Sequence, residues 1–568
     1  MKFPEVTPLD WRALVDKELK GAPFEKTLVQ RTPEGLSILP LYSELPPGGP
    51  LAIDCRGAPF RICTRHEEVD EPALSDDLEE GADALWLDLA SGAAADTLLP
   101  RIDRARTMVL LGVRGEAPAA TFARLAQSPG GDAPFALTTD PFGSFARGRS
   151  TAATLAAERL ALVEVARLAD GRFPGATTVM VSTLPYHDAG ADAADEVAVA
   201  LATGVAYLDT LIDAGLTPAT AASRIALQVA AGRDTFAEMC KLRALRVGWQ
   251  KVVAAAGVEG APHTLVHAVC SSRSLTQRDP WVNMLRVTTQ AFAAILGGAD
   301  LVTPASFDQA LGSPSALGRR IARNTGLVLR EESHLGRVID PAGGSYYLET
   351  LTDALAREAW KRFQAIERAG GIEVALVSGQ LRTRLEASWR ERLDLIAKRR
   401  APVLGVSEFA NLNEKLPSPV PVAPGDAAAT SGALPVHRDA EGFERLRSRA
   451  EAAGAPLEAV LVTLGPFAES RPRVGFAAGF FGAGGIRTRE TAVDEPATIA
   501  CLCGSDERYA AEAVARVAAL KAAGCKRVLV AGRPGALEAP LREAGVDGYL
   551  FVGCDAVAIL SDLLEVFQ

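Results

Sequence analysis

Met108-Val109-Leu110-Leu111-Gly112-Val113 is a short apolar run with polar sequence on both sides, the form a strand takes when both of its faces are buried. Working outward, runs of the same kind recur at residues 84–89, 135–139, 178–182, 225–230, 264–269, 301–305 and 337–339. Between them lie stretches with apolar residues at three- and four-residue spacing, visible over 191–214, 235–255 and 287–296. Eight strand units with intervening helices predict an α/β fold, a (β/α)8 TIM barrel. A doubly wound sheet has similar alternation, so the number of units is what favours the barrel.

The chain has 568 residues, and single cores stop growing near roughly 250–300, so at least one more domain is expected. A helical pattern over 351–369 ends at Gly370-Gly371, and a polar helical stretch runs on to Arg400. Composition then changes at Leu416-Pro417-Ser418-Pro419-Val420-Pro421-Val422-Ala423-Pro424-Gly425, which continues as an Ala/Ser/Gly run to Gly432 and reads as a linker. After a helix near 437–453, strand runs at 457–464, 497–503, 527–531 and 549–552 alternate with helical patterns at 474–481, 509–523, 536–544 and 556–567. This predicts a flavodoxin-like, doubly wound domain of about five parallel strands. Near the start, residues 9–20 put Trp11, Leu14, Val15 and Leu19 on one helix face before Gly21. The expected organisation is an N-terminal docking arm (1–30), the barrel (31–400), a Pro/Ala-rich linker with a helix (401–454) and the second α/β domain (455–568).

With 48% hydrophobic and 23% charged residues the chain is a folded globular protein rather than a disordered one. A net charge of −10 gives no footprint for nucleic acid. The single close Cys pair, Cys501 and Cys503, lacks C-x-x-C spacing, and the six His form no H-E-x-x-H pattern, so no metal site is expected. Met1 to Glu5 lead into acidic, amphipathic sequence, and no run of about 18 apolar residues occurs, so neither a signal peptide nor a membrane span is expected and the protein reads as cytoplasmic.

Three stretches then carry a resemblance: Arg278-Asp279-Pro280-Trp281-Val282-Asn283-Met284-Leu285-Arg286, Arg319-Arg320-Ile321-Ala322-Arg323-Asn324-Thr325, and Val338-Ile339-Asp340-Pro341-Ala342-Gly343-Gly344-Ser345-Tyr346-Tyr347. Taken alone their Asp-Pro and Gly-Gly pairs are turn formers. In this order they resemble the signatures of the adenosylcobalamin-dependent methylmalonyl-CoA mutase family, and the N-terminal segment through Pro40-Leu41-Tyr42 is similar to that family's opening. The resemblance implies a barrel that encloses an acyl-CoA and a second domain that presents cobalamin across the barrel mouth.

Cobalamin-binding members of the family carry Asp-x-His-x-x-Gly after the second domain's first strand, with a Lys a few residues before it. The matching loop here is Thr463-Leu464-Gly465-Pro466-Phe467-Ala468-Glu469, so the resemblance puts Thr463 at the Lys, Phe467 at the Asp and Glu469 at the cobalt-ligating His. A carboxylate is a poor substitute for imidazole on a late transition metal, and Phe467 has no acceptor with which to orient a ligand. No other His lies in this domain. In the barrel, Tyr186-His187 matches the family's Tyr-His pair, whose His meets the thioester carbonyl, although the spacing to Gly190 is shorter, and His267 matches a second barrel His. Arg56-Gly57 survives from an Arg-Gly-Pro-Tyr segment whose Tyr is missing, as is the family's Arg-Pro-Trp stretch.

The resemblance therefore implies the small subunit of a heterodimeric methylmalonyl-CoA mutase, the enzyme that interconverts (R)-methylmalonyl-CoA and succinyl-CoA. This chain is expected to be structural and inactive alone, with Tyr186, His187 and His267 as vestigial pocket residues. Adenosylcobalamin and acyl-CoA are expected on a homologous large subunit, and no cofactor on this chain. The alternative is a self-sufficient cobalamin-dependent acyl-CoA isomerase with altered cofactor binding. A nucleotide-driven assembly factor is disfavoured because the chain has no G-x-x-x-x-G-K-[ST] motif.

Overall fold

A computed structural model describes residues 6–54, 59–260, 262–418 and 432–567. Eight parallel strands form the barrel: β1 (Arg61–His66), β2 (Ala84–Leu89), β3 (Met108–Val113), β4 (Phe135–Leu137), β5 (Val179–Ser182), β6 (Ile225–Ala231), β7 (Val266–Cys270) and β8 (Leu301–Thr303). They pair in chain order. β8 meets β1 through Leu301↔Arg61 and Val302↔Ile62, and the circle closes between β4 and β5 at one bridge, Ala136↔Thr177. Alternation along each strand divides two cores. Leu85, Leu87, Val109 and Leu111 face the helices, whereas Trp86, Met108, Leu110 and Met180 fill the barrel interior.

One expected strand is absent and one unexpected strand takes its place. Residues 337–339 form no strand; Val338 and Ile339 are 66% and 61% exposed, so an apolar triplet left in solvent imitated a buried run. The missing strand is β1, whose three basic residues hide its buried Ile62 and Cys63. Those charges are matched near the strand's C-terminal end: Arg65 pairs with Asp88 at 2.8 Å and lies over the Trp86 ring, and His66 meets Asp77 at 3.0 Å.

Helices Ala193–Asp213, Thr235–Ala255 and Tyr346–Arg368 pack together outside the barrel, the first two capped by Asp192 and Asp234. Their contact needs Gly204, where a Cβ would stand 2.4 Å from the Trp249 ring. Helix Pro8–Glu18 buries none of its residues; Trp11 meets Phe24 edge-on and Leu14 is exposed.

The C-terminal sheet has five parallel strands, β9 (Glu458–Thr463), β10 (Arg487–Thr491), β11 (Ile499–Cys503), β12 (Arg527–Ala531) and β13 (Gly548–Leu550), in the order β10-β9-β11-β12-β13. β10 escapes sequence reading because it is a polar edge strand, Arg-Thr-Arg-Glu-Thr, with no buried residue. Helix Glu441–Glu451 bridges the two units. Its Glu444 and Glu451 accept hydrogen bonds from Gln277 N and Arg278 in the barrel, while Arg449 donates to Ser561 in the C-terminal domain. Among the described residues no helix is long and apolar enough to cross a membrane.

Candidate functional site

The C-terminal ends of the barrel strands collect the polar groups, the usual place for chemistry in this architecture. Past β5 the chain turns into a short helix, Leu184–Asp188, that sinks His187 beneath the surface. Its Nδ1 lies 2.7 Å from Glu196 Oε1 and its Nε2 2.7 Å from Ser271 Oγ. Thr183 Oγ1 donates to the other Glu196 oxygen at 3.0 Å, and the buried Lys241 ammonium donates to Glu196 at 3.0 Å and sits 2.6 Å from Glu238. Burial opposes ionisation of Glu196, yet Lys241 and His187 draw its carboxyl down to about 2. An ionised carboxylate only accepts, so Nδ1 carries the proton. Burial, reinforced by the Arg273 cation, holds the imidazole pKa below its ordinary value, so the ring is neutral and Nε2 accepts from the Ser271 hydroxyl.

His267 occupies a separate place, inside the barrel. Ser182 Oγ donates to Gln228 Oε1 at 2.8 Å, which turns the Gln228 amide so that its nitrogen donates to His267 Nδ1 at 3.0 Å; His267 Nε2 then donates to Thr303 Oγ1 at 2.8 Å. Burial first, and Arg65 second, push its pKa down to about 3. Trp86 packs edge-on against the ring at 5.5 Å, so His267 fills the bore as a neutral, fully bonded side chain. Tyr186 is buried beside His187 but points elsewhere: its hydroxyl has no hydrogen-bond partner, and burial with the nearby Asp140 raises its pKa well above normal. Tyr186, His187 and His267 are thus not one constellation. Glu196, Lys241 and Ser271 are the members that sequence reading missed.

In the C-terminal domain Thr463 ends β9 and donates to Thr491 O on the edge strand at 3.1 Å. Gly465 turns at φ +75°, and helix Phe467–Ala483 begins two residues later. Phe467 is 69% exposed, with Arg471 over its ring. Glu469 reaches across the strand ends to Arg508, 2.9 Å away, which lies where a Cβ on Gly465 would stand 2.6 Å from its Nε. The crevice between β9 and β11, where such sheets take ligands, is thereby crossed by an ion pair.

The methylmalonyl-CoA mutase family profile matches residues 133–441. The methylmalonyl-CoA mutase small subunit of Streptomyces virginiae is 40% identical over 99% of this chain and 97% of its own length. The chain belongs to the methylmalonyl-CoA mutase family. A small subunit from Propionibacterium freudenreichii subsp. shermanii is 33% identical over 99% of this chain and 95% of its own. The methylmalonyl-CoA mutase of Escherichia coli (strain K12) is 35% identical over only 44% of this chain and 35% of its own length.

The family's cobalamin can be tested against the donor set at the end of β9. A lower ligand would have to be Glu469, a carboxylate engaged by Arg508, and the Phe467 ring cannot orient it. These residues do not fit cobalamin. Among the described residues no group of three or more His, Cys, Asp or Glu could hold a metal ion. Arg56 and Gly57 lie outside the described residues.

Proposed function

We propose that this chain is the small subunit of a heterodimeric, adenosylcobalamin-dependent methylmalonyl-CoA mutase, that it takes no part in the isomerisation chemistry, and that it serves as a structural partner to a homologous large subunit. The observation that carries the reading is the alignment over nearly its whole length with chains called small subunit, where the E. coli mutase matches under half. The site agrees. Glu469 bound to Arg508 and Phe467 at the strand end oppose cobalt ligation, and Trp86, Met108, Leu110 and Met180 are packed inside the barrel. The order β10-β9-β11-β12-β13 is the 2-1-3-4-5 order of flavodoxin-like domains, which supports the C-terminal unit as a cobalamin-domain fold kept for assembly. Adenosylcobalamin and acyl-CoA are then held by the partner, in a pair that keeps a two-fold association while one site decays.

The test is purification of the tagged chain from its native source, with partner mass spectrometry and a corrinoid spectrum. A homologous larger chain in the eluate, corrinoid absorbance that leaves with it, and mutase activity only in the complex are expected. Corrinoid and acyl-CoA isomerase turnover in this chain alone would establish the self-sufficient enzyme instead.

A further inference from the structure

Ser271, His187 and Glu196 come from three different elements. Ser271 is the first residue after β7, His187 lies in the helix after β5, and Glu196 is in the first turn of helix Ala193–Asp213. The two contacts that join them, Ser271 Oγ to Nε2 and Nδ1 to Glu196, are both 2.7 Å. This is the relation of hydroxyl nucleophile, imidazole base and orienting carboxylate, recognised by geometry rather than chain order. Thr183 and Lys241 fix the carboxylate from behind. Ser271 and His187 also line a cavity of about 410 Å³ at the barrel's C-terminal face, with Ala230, Val269, Thr303 and Ser306 in its wall. A volume of this size takes a small molecule.

We propose that Ser271 is an acyl-accepting nucleophile, with His187 as its base and Glu196 as the positioning residue, acting on activated esters of short acyl chains. Ser271 Oγ bonds to the carbonyl carbon as its proton passes to His187 Nε2, the bond to the leaving group breaks, and the leaving group departs with that proton. Water then attacks the acyl-serine, gives its proton to Nε2, and the proton returns to Ser271 Oγ as the carboxylic acid is released. No redox change and no co-reactant besides water is involved. The activity is separate from isomerisation and does not depend on the small-subunit reading, which copurification tests by itself.

The experiment is to treat the full-length chain with a fluorophosphonate and map the adduct by tandem mass spectrometry, then to follow p-nitrophenyl butyrate hydrolysis in wild type, Ser271→Ala and Glu196→Gln, with melting temperatures recorded. The expected result is an adduct on Ser271, hydrolysis lowered about 100-fold or more in Ser271→Ala, and in Glu196→Gln an acid limb of the pH–rate profile moved to lower pH, because the charge that raises the His187 pKa is gone. A merely structural Glu196 would leave that limb in place. An unlabelled Ser271 in the folded wild-type chain, or hydrolysis unchanged in a folded Ser271→Ala, overturns the proposal; the labelling result needs no variant to fold.

Discussion

His187 in the barrel and Glu469 in the C-terminal domain both follow the end of a parallel strand, yet His187 is sealed between Glu196 and Ser271 while Glu469 meets Arg508 at the surface. The barrel group is held by partners from several elements, each itself buried, so changing one leaves others with an uncompensated charge or donor. At the surface, water replaces whatever is lost. A residue surrounded by protein partners is therefore costly to change, whereas a residue in a surface loop is changed at little cost.

The comparison is broken most directly at Glu196. Glu196→Ala leaves Lys241 buried with Glu238 alone and removes the His187 acceptor. It is expected to cost about 3–5 kcal/mol in denaturant unfolding. A loss below about 1 kcal/mol would show that the barrel network is no stiffer than a surface pair.

His267 gives a smaller effect that depends on pH. Its folded pKa is about 3, against an ordinary value near 6.5 in the unfolded chain. Below that ordinary value the unfolded chain takes up a proton that the folded one refuses, so this stability is whole above about pH 6.5 and is lost as pH falls toward 3. Relative to wild type, His267→Gln is expected to lose stability less steeply, by about 1 kcal/mol per pH unit between roughly pH 6 and 4, in urea midpoints measured across that range. Equal slopes would mean that the ring is charged or solvated in the folded protein.

Glu469→Ala completes the series with the smallest effect. Its partner Arg508 is at the surface, so no measurable change in melting temperature is expected at moderate salt. A clear drop would place the ion pair among the elements that hold the C-terminal domain together.

Much of this fold could be read from hydrophobic runs. Seven barrel strands and four of the C-terminal ones coincide with them, because strands covered on both faces must be apolar. Those that escaped were polar for local reasons: β1 carries Arg65 and His66 toward Asp88 and Asp77, and β10 is an edge with no buried side chain. The site was less legible. Tyr186, His187 and His267 are named by resemblance, but nothing in the sequence says that Ser271, 84 residues beyond His187, closes on its Nε2, or that Lys241 anchors Glu196. Those contacts exist only once the strands have closed into a circle. The separation of His187 from His267 is set in the same way, one ring lying under the mouth and the other within the bore.

That circle is uneven. β8 and β1 share two residue pairs and β4 and β5 share one bridge, while β5, β6, β7 and β8 are joined by longer ladders. The pairings divide the barrel into two four-stranded leaves with thin margins, and the chain Ser182–Gln228–His267–Thr303 takes one residue from every strand of one leaf. His187 and Ser271 stand on that same leaf. The hydrogen bond between them therefore spans neither of the thin margins.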